Sequence, residues 1–349
     1  MSTTTTHHAP GKLFTFLPSL SALKIIFVFL FLCTVKICAS QVQIEWQKCL
    51  GGTTGDYFSS IQQTSDGCYI GVGRVTSNDG NVTGNHGIDD VWVIKLDSLG
   101  NLLWQKCFGG SNGDYASSIQ QTADGGYIVA GMTQSNDGDV SGNHGGQDSW
   151  IFKIDSLGNI IWQKCLGGTN NEQAGLIQQT TNGGYIMTGV TNSNDGNITG
   201  NHGSGDSWVV KLDPLGNIIW QKCFGGSLND ATNSIQQLND GGYIIAGNTS
   251  SNDGNVSGNH GGSDSWIFKI DSLGNIIWQK CFGGTNDEST SAQQTADDGF
   301  ILGGFTRSND GNVTGNHGGS DSWILKIDSL GNIIWQKCFG GTLNDGTSS

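Results

Sequence analysis

Residues 148–165 read Asp-Ser-Trp-Ile-Phe-Lys-Ile-Asp-Ser-Leu-Gly-Asn-Ile-Ile-Trp-Gln-Lys-Cys. Two runs of aromatic and β-branched residues flank a Ser-Leu-Gly turn, which is the signature of a β-hairpin. The part from Asp155 to Cys165 recurs unchanged at 271–281 and 328–338. Its Trp falls at Trp46, Trp104, Trp162, Trp220, Trp278 and Trp335, at spacings of 58, 58, 58, 58 and 57. The short step places a one-residue deletion between Cys281 and Asp287. A fixed period of this size marks a propeller, a solenoid or an array.

Working outward, each repeat holds four strand-like runs. In the second repeat these are Tyr115 to Thr122, Tyr127 to Thr133, Ser149 to Asp155 and Asn159 to Leu166. The turn Ala123-Asp124-Gly125-Gly126 joins the first two, and a long loop from Ser135 to Asp148 joins the next two. No segment keeps a helical period. The expected fold is all-β: a β-propeller of four-stranded antiparallel blades, with five complete repeats near 50–107, 108–165, 166–223, 224–281 and 282–338. Partial repeats flank them, a lone fourth strand at Val42–Leu50 and a partial entry at 339–349 that copies Gly225–Asp230. Either five blades close and one fourth strand is surplus, or the natural chain continues, giving five or six blades or an incomplete ring.

The motif Asp148–Asp155, Leu157-Gly158-Asn159, Trp162, Gly167-Gly168, with Gly109-Gly110, Asp114-Tyr115 and Asp124-Gly125-Gly126-Tyr127 before it, resembles the bacterial SBBP-type β-propeller repeat. The resemblance covers residues 41–349. It implies the propeller fold and an extracellular, bacterial setting, and no common enzymatic activity. The long Asn/Asp/Gly loop departs from the family pattern.

Composition agrees with many short strands and tight turns. The chain has 56 Gly and 3 Pro, yet 11 Trp and 14 Phe at fixed places, which excludes collagen and disorder. A net charge of −14 disfavours nucleic acid and leaves cations, extracellular proteins or glycans as partners. Lys12 and Lys24, the apolar stretch from Ile25 to Val35 and Cys38-Ala39-Ser40 read as an export signal over 1–40, or an N-terminal anchor, and predict a secreted or surface protein. No other membrane contact is expected. Cys49, Cys107, Cys165, Cys223, Cys281 and Cys338 hold one repeat position, too far apart on neighbouring blades for disulfides, and read as buried thiols.

The long loops carry the candidate site. Counting Asp137 as position 1, oxygen side chains stand at Asp137, Asp139, Ser141 and Asp148, with Gly142 at position 6. The same frame gives Asp79, Asn81, Thr83 and Asp90; Asp195, Asn197, Thr199 and Asp206; Asp253, Asn255, Ser257 and Asp264; and Asp310, Asn312, Thr314 and Asp321. This spacing resembles an EF-hand-type calcium loop, with Asp in place of the last Glu and few carboxylates, hence weak affinity. The competing reading is that these side chains form Asx- and ST-turns that satisfy the loop backbone. The loops and the segments around Asp56, Asp114, Glu172, Asp230 and Asp287 are expected to crowd one acidic face. His86, His144, His202, His260 and His317 sit one to a loop, with turn or surface roles. No nucleophile elbow, phosphate loop or zinc-protease helix is present. Chemistry repeated five times with little divergence suits a multivalent binder or scaffold, not an active site. The expected function is therefore a non-catalytic extracellular binding or adhesion module. A purely structural surface repeat, or a lyase or glycosidase on a propeller scaffold, are the alternatives.

Overall fold

A computed structural model describes residues 44–345. Within 48–345 it contains twenty strands in five four-stranded antiparallel sheets and, among the described residues, no helix. Each sheet is ordered in chain sequence, so every blade is a meander. Blades 1 to 5 span 56–108, 114–166, 172–224, 230–282 and 288–339. Blade 2 is built from Asp114–Gln121, Tyr127–Thr133, Asp148–Ile154 and Ile160–Leu166, each within a residue or so of its expected run. The hairpin glycines Gly125 and Gly158 take φ of 81° and 78°, the left-handed region that a side chain disfavours.

The blades fan out. The second strand of one blade packs on the first strand of the next, and successive first strands also touch, whereas the fourth strands make no comparable contact with one another. Convergent inner strands and divergent outer strands are the geometry of a propeller. Alternate residues face opposite neighbours, so each sheet is buried on both sides. In blade 2, Tyr127, Val129 and Trp150 join the core shared with blade 1. Ile128, Ala130 and Ile151 join the core shared with blade 3. The third-strand residues Trp92, Trp150, Trp208, Trp266 and Trp323 are fully buried, each a side chain whose loss costs about 3–5 kcal/mol. Each donates its indole N–H to a fourth-strand Gln, as Trp208 does to Gln221 Oε1 at 2.8 Å. The fourth-strand Trp residues meet the following blade edge-on, Trp162 against Tyr185 and Trp220 against Tyr243.

Four such cores run from blade 1 to blade 5, and among the described residues no comparable packing joins blade 5 back to blade 1. The five described blades do not close on one another. Residues 44–50 form no strand, contrary to the expected lone fourth strand, of which 42 and 43 lie outside the described residues. The expected leader, 1–40, also lies outside the described residues.

Two further expectations are corrected. The deletion falls not before Asp287 but inside the first strand of blade 5. The first strands of blades 1 to 4 each carry a β-bulge, and that of blade 5 pairs without one. The missing residue is the bulge residue, which a ladder loses more cheaply than a paired one. It follows that Glu288, not Asp287, is the counterpart of Asp230. Glu288 is buried, while Asp287 sits in the connector and pairs with Arg307 at 2.9 Å.

Candidate functional site

The long loop between the second and third strands folds back over the connector that enters its own blade. Asp137 Oδ1 accepts from Ser111 N at 2.8 Å, and Asp139 Oδ2 accepts from Gly109 N at 3.3 Å. Asp195 and Asp253 take the amides of Thr169 and Ser227 in the same way. Asp79 accepts from Thr53, and Asp310 from Thr285. Asn81, Asn197, Asn255 and Asn312 accept from Gly51, Gly167, Gly225 and Gly283. These hydrogen bonds place loop and connector on one face, as the strand order requires.

The structure divides the twenty frame residues among three tasks and does not gather any set of four round one point. Positions 1 and 3 hold the connector before their blade. Position 5 (Thr83, Ser141, Thr199, Ser257, Thr314) accepts from the fourth-strand Gln of its own blade, as Ser141 Oγ does from Gln163 Nε2 at 2.6 Å. Position 12 (Asp90, Asp148, Asp206, Asp264, Asp321) points at the connector after its blade and is fully buried. Among the described residues, no group of three His, Cys, Asp or Glu could hold a metal ion.

Position 12 has a partner that sequence reasoning missed. His202 Nδ1 lies 2.6 Å from Asp206 Oδ2, and the His202 backbone N–H donates to the same oxygen. The pair repeats at His86–Asp90, His144–Asp148, His260–Asp264 and His317–Asp321. The signal was the constant spacing of four residues. The other Asp206 oxygen, Oδ1, is buried without a partner. It faces Gly225, where a Cβ would come within 2.5–2.8 Å of both Asp230 Oδ2 and Asp206 Oδ1, so only glycine fits between the two carboxylates. Burial pushes the Asp206 carboxyl above its ordinary range, His202 opposes this, and the Asp230 charge adds to it.

Above the His144–Asp148 and His202–Asp206 pairs runs a polar groove, bounded by the fourth strand of one blade and by the loop and third turn of the next. The groove at blades 2 and 3 is lined by His144, Gln163, Lys164, Asn197 and Asn217 among others. At blades 3 and 4 the equivalents are His202, Gln221, Lys222, Asn255 and Asn275. Lys222 Nζ crosses the groove to Asn275 Oδ1 at 2.9 Å. With Nδ1 held by Asp206, the partly exposed His202 ring keeps Nε2 for a ligand. The groove is therefore rich in donors, although the protein as a whole is acidic.

One polar cluster is not repeated. The Arg74 guanidinium lies over the rings of Tyr57 and Tyr115, at 5.1 and 5.2 Å, and 3.9 Å from Asp89. The corresponding position in blade 2 is Met132, and Met187 lies in the blade 3 core.

No family model matches the chain. It is 24% identical over 215 residues to the Regulatory protein FlaEY of Caulobacter vibrioides, a stretch that is 57% of this chain and 22% of that protein. The chain thus spans about a fifth of that relative's length. A protein of unknown function from Bacteroides caccae superposes with a TM-score of 0.46 at 14% identity, over 82% of this chain and 83% of that one. An unknown-function protein from Dyadobacter fermentans gives 0.45 at 11%, over 84% and 86%. A Synechocystis apocarotenoid oxygenase mutant gives 0.43 at 13%, over 84% and 65%.

Proposed function

We propose that the chain is a non-catalytic, multivalent binding module of the cell exterior, which takes acceptor-bearing ligands, a glycan or an extended peptide, in the grooves between blades. One observation carries this reading: the same groove of His, Gln, Lys and Asn recurs at successive blade junctions with the same residue types. Hydroxyl, carbonyl or carboxylate groups at a regular spacing would match regularly spaced donors, and several weak contacts would add through effective concentration. The SBBP-type resemblance and the apolar stretch from Ile25 to Val35 support the exterior setting.

The test is titration calorimetry of the whole chain against neutral and uronate-containing oligosaccharides and against an extended peptide. The reading expects more than one equivalent of ligand per chain. The triple variant His144→Ala, His202→Ala and His260→Ala should bind at least about 10-fold more weakly, the loss of about 1.4 kcal/mol. Absence of binding to every probe, or binding that the triple variant leaves unchanged, would overturn it.

A further inference from the structure

Three neighbouring positions of the repeat change chemistry from blade to blade. In blade 1 they hold Tyr57 on the first strand, Arg74 on the second and Asp89 just before the third. Blade 3 has Gln173, Val190 and Gly205 there, and blade 4 has Ala231, Asn248 and Ser263. The first two positions stand opposite each other in the ladder, as Tyr57 does to Arg74. The second and third touch, as Asn248 Nδ2 shows by donating to Ser263 Oγ at 3.1 Å. The residues beside them do not change in this way. The one before the first position is Asp or Glu in all five blades, and the one after the third is always Asp. Packing fixes those carboxylates and leaves the three neighbours open to carry recognition.

In blade 1 they border a pocket of about 450 Å³, a size typical of small-molecule sites. It lies along the inner strands at the connector end, whereas the polar grooves run along the fourth strands. Ile70 and Val72 share the side of Arg74 on its strand and belong to the core between blades 1 and 2. Arg74, and Tyr57 opposite it, therefore face blade 2, inside a packed junction. The guanidinium lies over the rings of Tyr57 and Tyr115, and its Nε is 3.9 Å from Asp89 Oδ1. The Tyr115 hydroxyl donates to the other Asp89 oxygen at 3.0 Å. At 3.9 Å, Asp89 orients the guanidinium by charge without accepting its N–H groups. The chain has one other arginine, Arg307, whose fork meets Asp287 at 2.9 Å. The Arg74 side chain is 36% exposed, and Met132 and Gln173 complete the wall beside it.

We propose that this pocket binds an organic carboxylate, its two oxygens on the Arg74 guanidinium and its apolar body against Tyr57 and Met132. A planar fork of parallel N–H donors matches a carboxylate at two points. Asp89 offsets part of the Arg74 charge, so the site suits one negative charge better than a dianion such as phosphate. The tyrosine ring and the thioether supply contact area to a hydrocarbon next to the carboxylate. A free organic acid and the C-terminus of a peptide both carry that chemistry. The site is single, whereas the grooves recur, so it does not rest on the groove reading.

Titration calorimetry of the full chain tests this with hydrocinnamate and its amide, and with a short peptide ending in phenylalanine as the acid and the amide. At least one acid should bind at one equivalent per chain, and its amide at least about 10-fold more weakly. Binding of hydrocinnamate alone assigns a free acid as the ligand, and tighter binding of the peptide acid assigns a chain terminus. Arg74→Met copies the residue that blade 2 carries at this position, so the repeat already accepts it. It should abolish binding with the thermal melt kept. Arg74→Lys keeps the charge and loses the fork, and should weaken binding about 10-fold. If Arg74→Met fails to fold, Arg74→Lys decides. The triple variant His144→Ala, His202→Ala and His260→Ala should bind the acid as the wild type does. Neither acid binding at up to about 10 mM, or acid and amide binding equally, would overturn the proposal. So would a folded Arg74 variant that binds like the wild type, or loss of acid binding in the triple histidine variant.

Discussion

At the scale of single residues, position along the fan decides chemistry that the sequence makes look uniform. Cys107, Cys165, Cys223 and Cys281 are buried, and burial pushes each thiol up to about 12. Cys49 occupies the same repeat position and is exposed. A thiol reagent at pH 8 should therefore modify Cys49 in the native protein and leave those four unmodified until denaturant is added. Peptide mapping of the labelled sites checks this. Lys211 is a second case. The third-strand lysines of the other blades pair with a turn aspartate, as Lys153 does with Asp124 and Lys326 with Asp297. Blade 3 has Asn182 there. Lys211 instead meets Thr180 Oγ1 and the Tyr243 hydroxyl at 2.8 and 2.9 Å, and burial brings it down to about 8. A base depressed in the folded state costs stability that accrues as pH falls from its ordinary value near 10.5 to its folded value near 8, and the full cost is present at pH 7. Asn182→Asp should restore the pairing and stabilise the protein at pH 7 by on the order of 1 kcal/mol. At Asp124, burial acts to raise the carboxyl, but hydrogen bonds from Thr122 and Lys153 outweigh it and hold it at about 2. The gain from the new carboxylate should accordingly disappear as pH falls from about 4 toward 2. Urea melts at pH 7 and at the acid end, compared with wild type, would show it.

At the scale of the element, one glycine of every second strand is fixed by the carbonyl opposite it, in bulged blades and in blade 5 alike. Gly73, Gly131, Gly189, Gly247 and Gly304 each face a first-strand backbone carbonyl so closely that a Cβ would come within 1.8–2.4 Å of its oxygen. Gly247→Ala must push the strands apart, at a cost of about 1–3 kcal/mol. Gly303→Ala, one residue before the equivalent glycine of blade 5, should be close to neutral. Chemical denaturation of the two variants side by side tests the contrast, and equal losses would refute it. The strands themselves were legible in the sequence, because alternation and Asp-Gly or Leu-Gly turns are local signals. The bulge was not. A one-residue deletion in a repeat can be placed anywhere between two anchors until the register is seen, which is why Asp287 stood in for Glu288.

At the scale of the whole molecule, stability in a repeat array is the sum of blade and interface contributions. Blades 2, 3 and 4 each have two interfaces, and blades 1 and 5 each have one. Hydrogen exchange at low concentration should therefore be slowest in the third strands of blades 2 to 4. It should be faster in Tyr69–Val75 of blade 1 and Phe300–Thr306 of blade 5. Uniform protection across the five blades would mean that the ring closes in solution.

The amino-acid sequence alone determined the all-β class, five complete repeats, four strands to each and the face shared by loop and connector. All of these follow from local periodicity, turn chemistry and a repeat that announces itself. The tertiary structure decided what the loop oxygens do. Asp137 and Asp148 are eleven residues apart in one loop, yet they serve opposite junctions: Asp137 accepts a backbone amide of the connector before blade 2, and Asp148 pairs through one oxygen with His144. It also decided that blades 5 and 1 stay apart. Whether a fan closes depends on the angle accumulated over every junction, and no local stretch of sequence encodes that sum.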